Sequence, residues 1–384
     1  MNMKSYIAKR FQGSGSGLSL DTEALAKYSD IIDLSIGDTD FTTDEAIIEK
    51  AYLDARAGHT HYGDPKGDPE LIAAVCGAWQ EDFSQALSSD HVLVTASSCL
   101  GMALTMLAIL NPGDEVIVFS PYFAMYRSQI DLAGGVCVDV PTYASEAYAI
   151  SEDRLRAAIT PRTKAIIFNN PTNPTGMAYD RPALELLADV AREHDLLIAA
   201  DEIYTTYLFE GEYIPMRTLP GMEKRTITLN SFSKNYMMTG WRVGAILAEP
   251  ELLAVMNRVN GSLIYSAPSV SQRAAIAALH ERARIREAYI AAYRDRIFYS
   301  AERLAKLPYL SLVPPRGTFY LFPGVEKTGL TAPEFCAQLL DRAHILVTPG
   351  DVFGATGKQH FRIACTVDHE KLREAYDRME QLTF

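Results

Sequence analysis

The chain has 384 residues, and its 36 lysines and arginines against 48 aspartates and glutamates leave a formal net charge of −12. Hydrophobic residues make up 48%, too many and too evenly spread for a disordered chain, while the acidic balance argues against a nucleic-acid or anionic-membrane partner, both of which need a basic face. Cys76, Cys99, Cys137, Cys336 and Cys365 are odd in number and include no close pair, which speaks against a disulfide framework and for a reducing cytoplasm.

The length allows two or three domains with a sizeable core. The N-terminus lacks an apolar stretch of signal-peptide length, and no run reaches the roughly 18 apolar residues of a membrane span, so a soluble protein is expected. The first 40 residues carry no strong sheet signal. Within them GSGSG, Gly13–Gly17, reads as a flexible loop; it is not a nucleotide fingerprint, because no strand precedes it and its spacing is not GxGxxG.

From about residue 45 to about residue 280, short apolar runs alternate with helical patterns. The predicted strands are Val92–Thr95, Val116–Phe119, Val136–Val140, Ala165–Phe168, Leu196–Ala200, Ile227–Leu229 and Gly244–Leu247. Several are continuously hydrophobic, as strands buried on both faces are. Helical stretches such as Ala183–His194 lie between them, giving repeated βα units and a mainly parallel, doubly wound sheet. From Arg286 to Leu307 the pattern predicts one long helix leading into a smaller domain. That domain would hold a hairpin-like segment, Pro314–Phe322, and strands at Ile345–Thr348 and His360–Ala364.

The polar motifs fall at the carboxyl ends of the strands, where such sheets bind ligands. In SFSKNYMMTGWRVG, Ser231–Gly244, Lys234 follows the strand Ile227–Leu229, with hydroxyls beside it and Arg242 eight residues on. Alone, such a lysine is a solvated loop residue; in this company it can form a Schiff base while its neighbours hold an anion. AADEIY, Ala199–Tyr204, ends an apolar run. An aspartate there is costly without a partner; a protonated pyridine nitrogen would serve, with Tyr204 in reach of the ring's phenolic oxygen, and the competing reading is a helix N-cap. NNPTNPTG, Asn169–Gly176, forms a rigid non-helical turn.

Taken together, the chain resembles the pyridoxal-phosphate-dependent class I/II aminotransferases of fold type I, the aspartate aminotransferase superfamily. THYGDPKG (Thr60–Gly67), NNPTNPTG, AADEIY, SFSKNYMMTGWRVG, PRGTFYLF (Pro315–Phe322), VTPGDVFG (Val347–Gly354) and FRIACT (Phe361–Thr366) match in the family's order and spacing. The resemblance implies an α/β fold with a large domain, residues 42–284, whose mainly parallel seven-stranded sheet is sandwiched by helices. A smaller α/β domain is then built from both termini, residues 1–41 and 285–384.

It also implies pyridoxal 5′-phosphate as cofactor. Lys234 would hold it covalently and then move the substrate's Cα proton. Asp201 would pair with the pyridine nitrogen, Tyr204 and Asn173 with the ring oxygen, and Phe123, in SPYFAMY, would stack on the ring. The phosphate would lie against Ser231, Arg242 and the helix N-terminus at Ser97, Ser98 and Cys99, where amide N–H groups favour an anion. Arg362 would pair bidentately with the substrate α-carboxylate, with Gly37 and Asn173 also facing substrate. Tyr62 would reach the phosphate of the neighbouring subunit, implying a homodimer with shared sites. The chain departs from the family's pattern at Ala96–Cys99, where relatives often have glycine, at Thr39, where proline is common, and at Phe123, where tryptophan or tyrosine is frequent.

The implied activity is a ping-pong exchange of an amino group between an amino acid and a 2-oxo acid. Removing a proton from Cα needs an electron sink, a base beside Cα and a carboxylate clamp; Lys234, Asp201 and Arg362 answer to these. Cys99 replaces the lysine of some acid-specific relatives, and Tyr62, Tyr122, Phe123 and Phe319 are aromatic, so a neutral or aromatic donor is expected rather than a strictly acidic one. The same motifs would serve a carbon–sulfur lyase, a γ-synthase, a cyclase of the aminocyclopropane-carboxylate type or a natural-product tailoring enzyme, although TGWRVG is closer to the transaminase form. A regulatory relative would carry a basic DNA-binding domain, for which there is no room. His59 and His61 lie near Tyr62, but nothing completes a metal site. Met237 and Met238 read as packing, Cys99 as a small filler, and Arg282–Arg286 as a solvated helix face.

Overall fold

Four neighbouring parallel strands end in polar residues that have almost no contact with solvent, and this row organises the molecule. The computed structural model describes residues 3–8 and 27–384; the GSGSG loop expected at Gly13–Gly17 lies outside them. Of the described strands, the first, β1 (Ile32–Asp33), stands apart from the next seven. These are β2 (Val92–Thr95), β3 (Glu115–Ser120), β4 (Val136–Pro141), β5 (Thr163–Asn169), β6 (Leu197–Asp201), β7 (Thr226–Ser231) and β8 (Gly244–Leu247), and they form one sheet in the order β2-β8-β7-β6-β5-β3-β4. Only β8 runs antiparallel to its neighbours.

Alternation along each strand supplies both faces. Val116, Val118, Ile167 and Ala199 meet Met102 and Leu104 of the helix Ser98–Ile109 on one side. Ile117, Phe119, Ile166 and Ile198 meet Leu184 and Leu187 of the helix Arg181–Glu193 on the other. That helix starts where Asp180 caps Ala183 N–H and a proline fills its first turn, as helix entry favours. Four neighbouring strands also bury polar residues at their carboxyl ends. Ser120, Asn169, Asp201 and Ser231 are 1%, 7%, 7% and 1% exposed.

Segments near the two termini, Ile32 and Leu34 with residues from Ile297 onward, share a second apolar core in a smaller α/β part. Its further strands are β9 (Tyr320–Leu321), β10 (Ile345–Leu346), β11 (Thr348–Pro349) and β12 (Phe361–Ala364). β1 pairs with β10 in parallel, and β12 pairs antiparallel with both β11 and β9.

Several expectations are corrected here. The long helix begins at Arg282, passes through a π-helical turn at Arg286–Ile290 and ends at Ala305. The wider turn aligns residues five apart, and Ile285 and Ile290 are both buried. The hairpin-like segment yields only β9, because Thr318 has a φ of 61° and a Cβ on Gly317 would stand 2.7 Å from the Tyr207 carbonyl. The single strand expected at Ile345–Thr348 is two, with different partners. β1 lies among the first 40 residues, where the sequence carries no strand signal because two residues are too few to show alternation.

β2 enters the helix Ser98–Ile109 through Ser97, whose φ of 99° and ψ of 155° fall in a region held almost only by glycine. Its hydroxyl accepts from Leu100 N–H at 3.4 Å. Replacing Ser97→Gly should raise stability by about 1 kcal/mol, since the relieved strain exceeds the few tenths lost with the cap. A urea midpoint that stays the same or falls would contradict this reading.

Candidate active site

A cavity of about 770 Å³ opens at the carboxyl edge of the large sheet, and Gly37, Phe123, Asn173, Asp201, Tyr204, Lys234 and Arg362 all line it. Asp201 ends β6, and its backbone carbonyl is fixed by Asn169 Nδ2 at 2.8 Å. Its Oδ2 accepts from the Tyr126 hydroxyl, while Oδ1 is buried without a partner. Burial pushes its pKa up to about 6, with the Tyr126 hydrogen bond acting in the opposite direction. Asp201 is therefore no helix cap; it is a carboxylate held at a cavity wall with one oxygen uncommitted.

Lys234 sits in the short helix Phe232–Asn235 that follows β7, started by Ser231 Oγ accepting from Ser233 N–H at 3.1 Å. The turn is fastened from outside: Tyr207 Oη donates to the Lys234 carbonyl at 3.0 Å, and Asn235 bonds both Thr205 and Thr206 at 2.8 Å. Nζ donates to the Gly37 carbonyl. Burial pushes the lysine pKa down to about 8; Asp38 opposes that, and Arg362 and Arg242 add to it. An amine that loses its charge this easily is a candidate nucleophile and base.

Arg362, on β12, is 3% exposed. Nη1 donates to Asn173 Oδ1 at 3.0 Å and Nη2 to the Ser35 carbonyl at 2.7 Å; Nε is buried without a partner. Its guanidinium lies 4.5 Å and 4.9 Å from the ring centroids of Tyr320 and Phe353, an arrangement that holds the fork in place. Burial lowers its pKa, and none of its bonds is to a carboxylate. A buried cation in this state calls for an anion, and the planar fork suits a carboxylate.

Tyr204 Oη donates to Tyr320 Oη at 3.2 Å. Tyr320 also explains Gly37, since a Cβ there would come within 1.7 Å of the Tyr320 hydroxyl oxygen. Gly176, with a φ of 70°, is held against the Tyr320 carbonyl in the same way.

The remaining predicted residues are not among those that line the cavity. Ser97 and Ser98 form the turn and first residue of their helix. Ser231 caps the lysine turn. Arg242, exposed and with a φ of 54°, donates to the Thr239 carbonyl at 2.8 Å. It is close enough to Cys99 and Lys234 to depress the pKa of both. The Cys99 thiol is nonetheless raised, chiefly by burial, and Gln129 Nε2 lies 3.4 Å from Sγ. Tyr62 is 87% exposed and edge-on to Tyr265 at 5.2 Å. Met237 and Met238 are buried, and Met237 packs with Tyr204 and Tyr207. Arg284 of the charged stretch holds Asp44 through both nitrogens, at 2.8 and 2.7 Å.

Two contributors were missed in the sequence. Tyr126 follows Phe123 by three residues, a helical spacing that places both on one side. Tyr320 lies inside PRGTFYLF, yet only the folded chain brings its hydroxyl to Gly37.

The family model for aminotransferase class I and II matches residues 29–379. The chain is 35% identical to the arginine–pyruvate transaminase of Pseudomonas aeruginosa, over 98% of this chain and 96% of that one. It is 37% identical to the aromatic-amino-acid aminotransferase 2 of Thermococcus litoralis, over 92% and 91%. A solved mutant of the Thermus thermophilus aspartate aminotransferase superposes with a TM-score of 0.93 at 33% identity, covering 98% of this chain and 99% of that one.

Because the neutral amine is the reactive form, modification of Lys234 by an amine-directed ester should rise with pH to a midpoint near its depressed pKa of about 8. Ordinary lysines titrate near 10.4. Peptide mass spectrometry across pH 6 to about 11 reads this directly; a midpoint above about 10 would show that burial does not neutralise the amine.

Proposed function

The chain belongs to the class I and II aminotransferases, enzymes that move an amino group between an amino acid and a 2-oxo acid, and on that premise we propose how its own residues do so and on what. The cofactor of the reading is pyridoxal 5′-phosphate, placed in the cavity that Lys234, Asp201 and Arg362 share. The observation that carries it is the set of groups gathered there: a carboxylate oxygen of Asp201 with no donor, an Arg362 with no anion, and a lysine whose pKa burial lowers. When bound, the cofactor supplies an electron-withdrawing ring that spreads the charge left at Cα.

Asp201 would accept from the ring nitrogen, Tyr204 and Asn173 would pair with the ring oxygen, and Phe123 would cover the ring. Ser231, Arg242 and the amide groups at Ser97, Ser98 and Cys99 would hold the phosphate. Arg362 binds the α-carboxylate and turns Cα towards Lys234, whose Nζ takes the proton and returns it. Gly37 lets substrate lie close to backbone.

The donor is neutral, apolar or aromatic. Ile36, Cys336, Ala337, Leu340, Leu346 and Val352 make one wall apolar, and Lys234 and Arg362 are the cavity's cations among the described residues, so a side-chain carboxylate finds no further partner. Tyr62, Tyr265, Leu263, Tyr52 and Leu53 are 87%, 47%, 55%, 59% and 51% exposed. Such apolar surface favours a second copy, in a homodimer where Tyr62 completes the neighbour's phosphate site. Five unpaired cysteines favour the cytoplasm, and no helix among the described residues is long and apolar enough to cross a membrane. The proposed division into residues 42–284, and 1–41 with 285–384, is supported by the pairing of β1 with β10, apart from the large sheet.

In a half-reaction screen, single amino acids are mixed with protein and pyridoxal phosphate. Neutral or aromatic donors should bleach the visible band of the bound cofactor, and a 2-oxo acid should restore it. Release of pyruvate or ammonia with the band retained would mark a lyase instead. Lys234→Ala should lose the band and nearly all turnover. Arg362→Leu should lower kcat/KM for amino acids about a hundredfold, the loss expected for a buried charge-assisted pair, with the cofactor band intact.

A further inference from the structure

Tyr126 is 3% exposed and would pass for a core aromatic, but its hydroxyl donates to Asp201 Oδ2. No other described side chain donates to that carboxylate; Tyr204, Cys99 and Glu202 are charge neighbours only. Oδ1 is left without a partner. The tyrosine is itself fixed: its N–H donates to the Phe123 carbonyl at 3.1 Å, its ring is edge-on to Phe123 at 5.7 Å and stacked on Tyr122 at 6.5 Å. One residue thus touches both the group assigned to the cofactor's ring face and the group assigned to its nitrogen.

We propose that Tyr126 is a positioning residue which pins Oδ2 of Asp201, so that Oδ1, in its charged form, is reserved for the ring nitrogen of the cofactor. This rests on the pyridoxal phosphate reading of the site. A buried carboxylate with no hydrogen bond keeps its proton, and a protonated Asp201 could not hold a charged ring nitrogen. The Tyr126 hydroxyl opposes that at Oδ2 and leaves the other oxygen unblocked.

Tyr126→Phe removes the hydroxyl while keeping the ring against Phe123 and Tyr122. Apoprotein of the wild type and of the variant is titrated with pyridoxal phosphate and, separately, with its 1-deaza analogue, which has carbon in place of the ring nitrogen. The variant should bind pyridoxal phosphate on the order of tenfold more weakly, yet bind the analogue within about twofold of wild type. Equal losses for both ligands would mean a merely structural tyrosine, and no loss for either would mean the hydrogen bond is idle; each overturns the proposal. Wild-type protein that binds neither ligand would overturn the underlying reading, and this inference with it.

Discussion

A carboxylate placed at the end of an apolar strand has to be answered by something, and Asp201 is that carboxylate. Because β5, β6 and β7 run parallel and in register, Asn169 lies opposite Asp201, and Asp201 opposite Leu229. The acid is thereby held between the NNPTNPTG turn on one side and the lysine turn on the other. Each neighbour fixes part of it: Asn169 takes its carbonyl and Tyr126 one carboxylate oxygen. The oxygen left over gives the cavity its polarity, and the low-dielectric surroundings that make it costly are those that would make a partner bind tightly.

Lysine and arginine answer the same burial in different ways. Lys234 can give up its proton, and its pKa falls to about 8. Arg362 holds its charge and is instead carried by an amide oxygen, a backbone carbonyl and two aromatic faces. One cavity therefore presents a base and a permanent cation. Lys234 to Gly37, Arg362 to Asn173, and Tyr204 to Tyr320 are among the contacts that cross between the smaller α/β part and the part built on the large sheet. The site exists only where the two parts meet.

The turn after β2 shows the cost of that assembly. Ser97 adopts a backbone suited to glycine, and the neighbouring β8 leaves no slack, since a Cβ on Gly244 would stand 2.8 Å from the Ser98 nitrogen. The departure from glycine visible in the sequence thus coincides with strain in the fold, at the helix N-terminus assigned to the phosphate.

Much of this was written locally in the chain. The strands of the large sheet could be read because most of them are buried on both faces and several leave continuous apolar runs, and Lys234, Asp201 and Asn173 could be found because each lies at or just after a strand's carboxyl end. Tertiary structure alone decided the rest. β1 is two residues long and carries no periodicity of its own, and the run Ile345–Thr348 is split between β10 and β11 by their different partners; the π-helical turn lies where Ile285 and Ile290 are both buried. The Tyr126 hydroxyl meets Asp201 across 75 positions, and Arg362 meets Asn173 across 189. Sequence patterning encodes which face of an element is apolar. Which polar atom goes unpaired is settled only when distant elements close on one another.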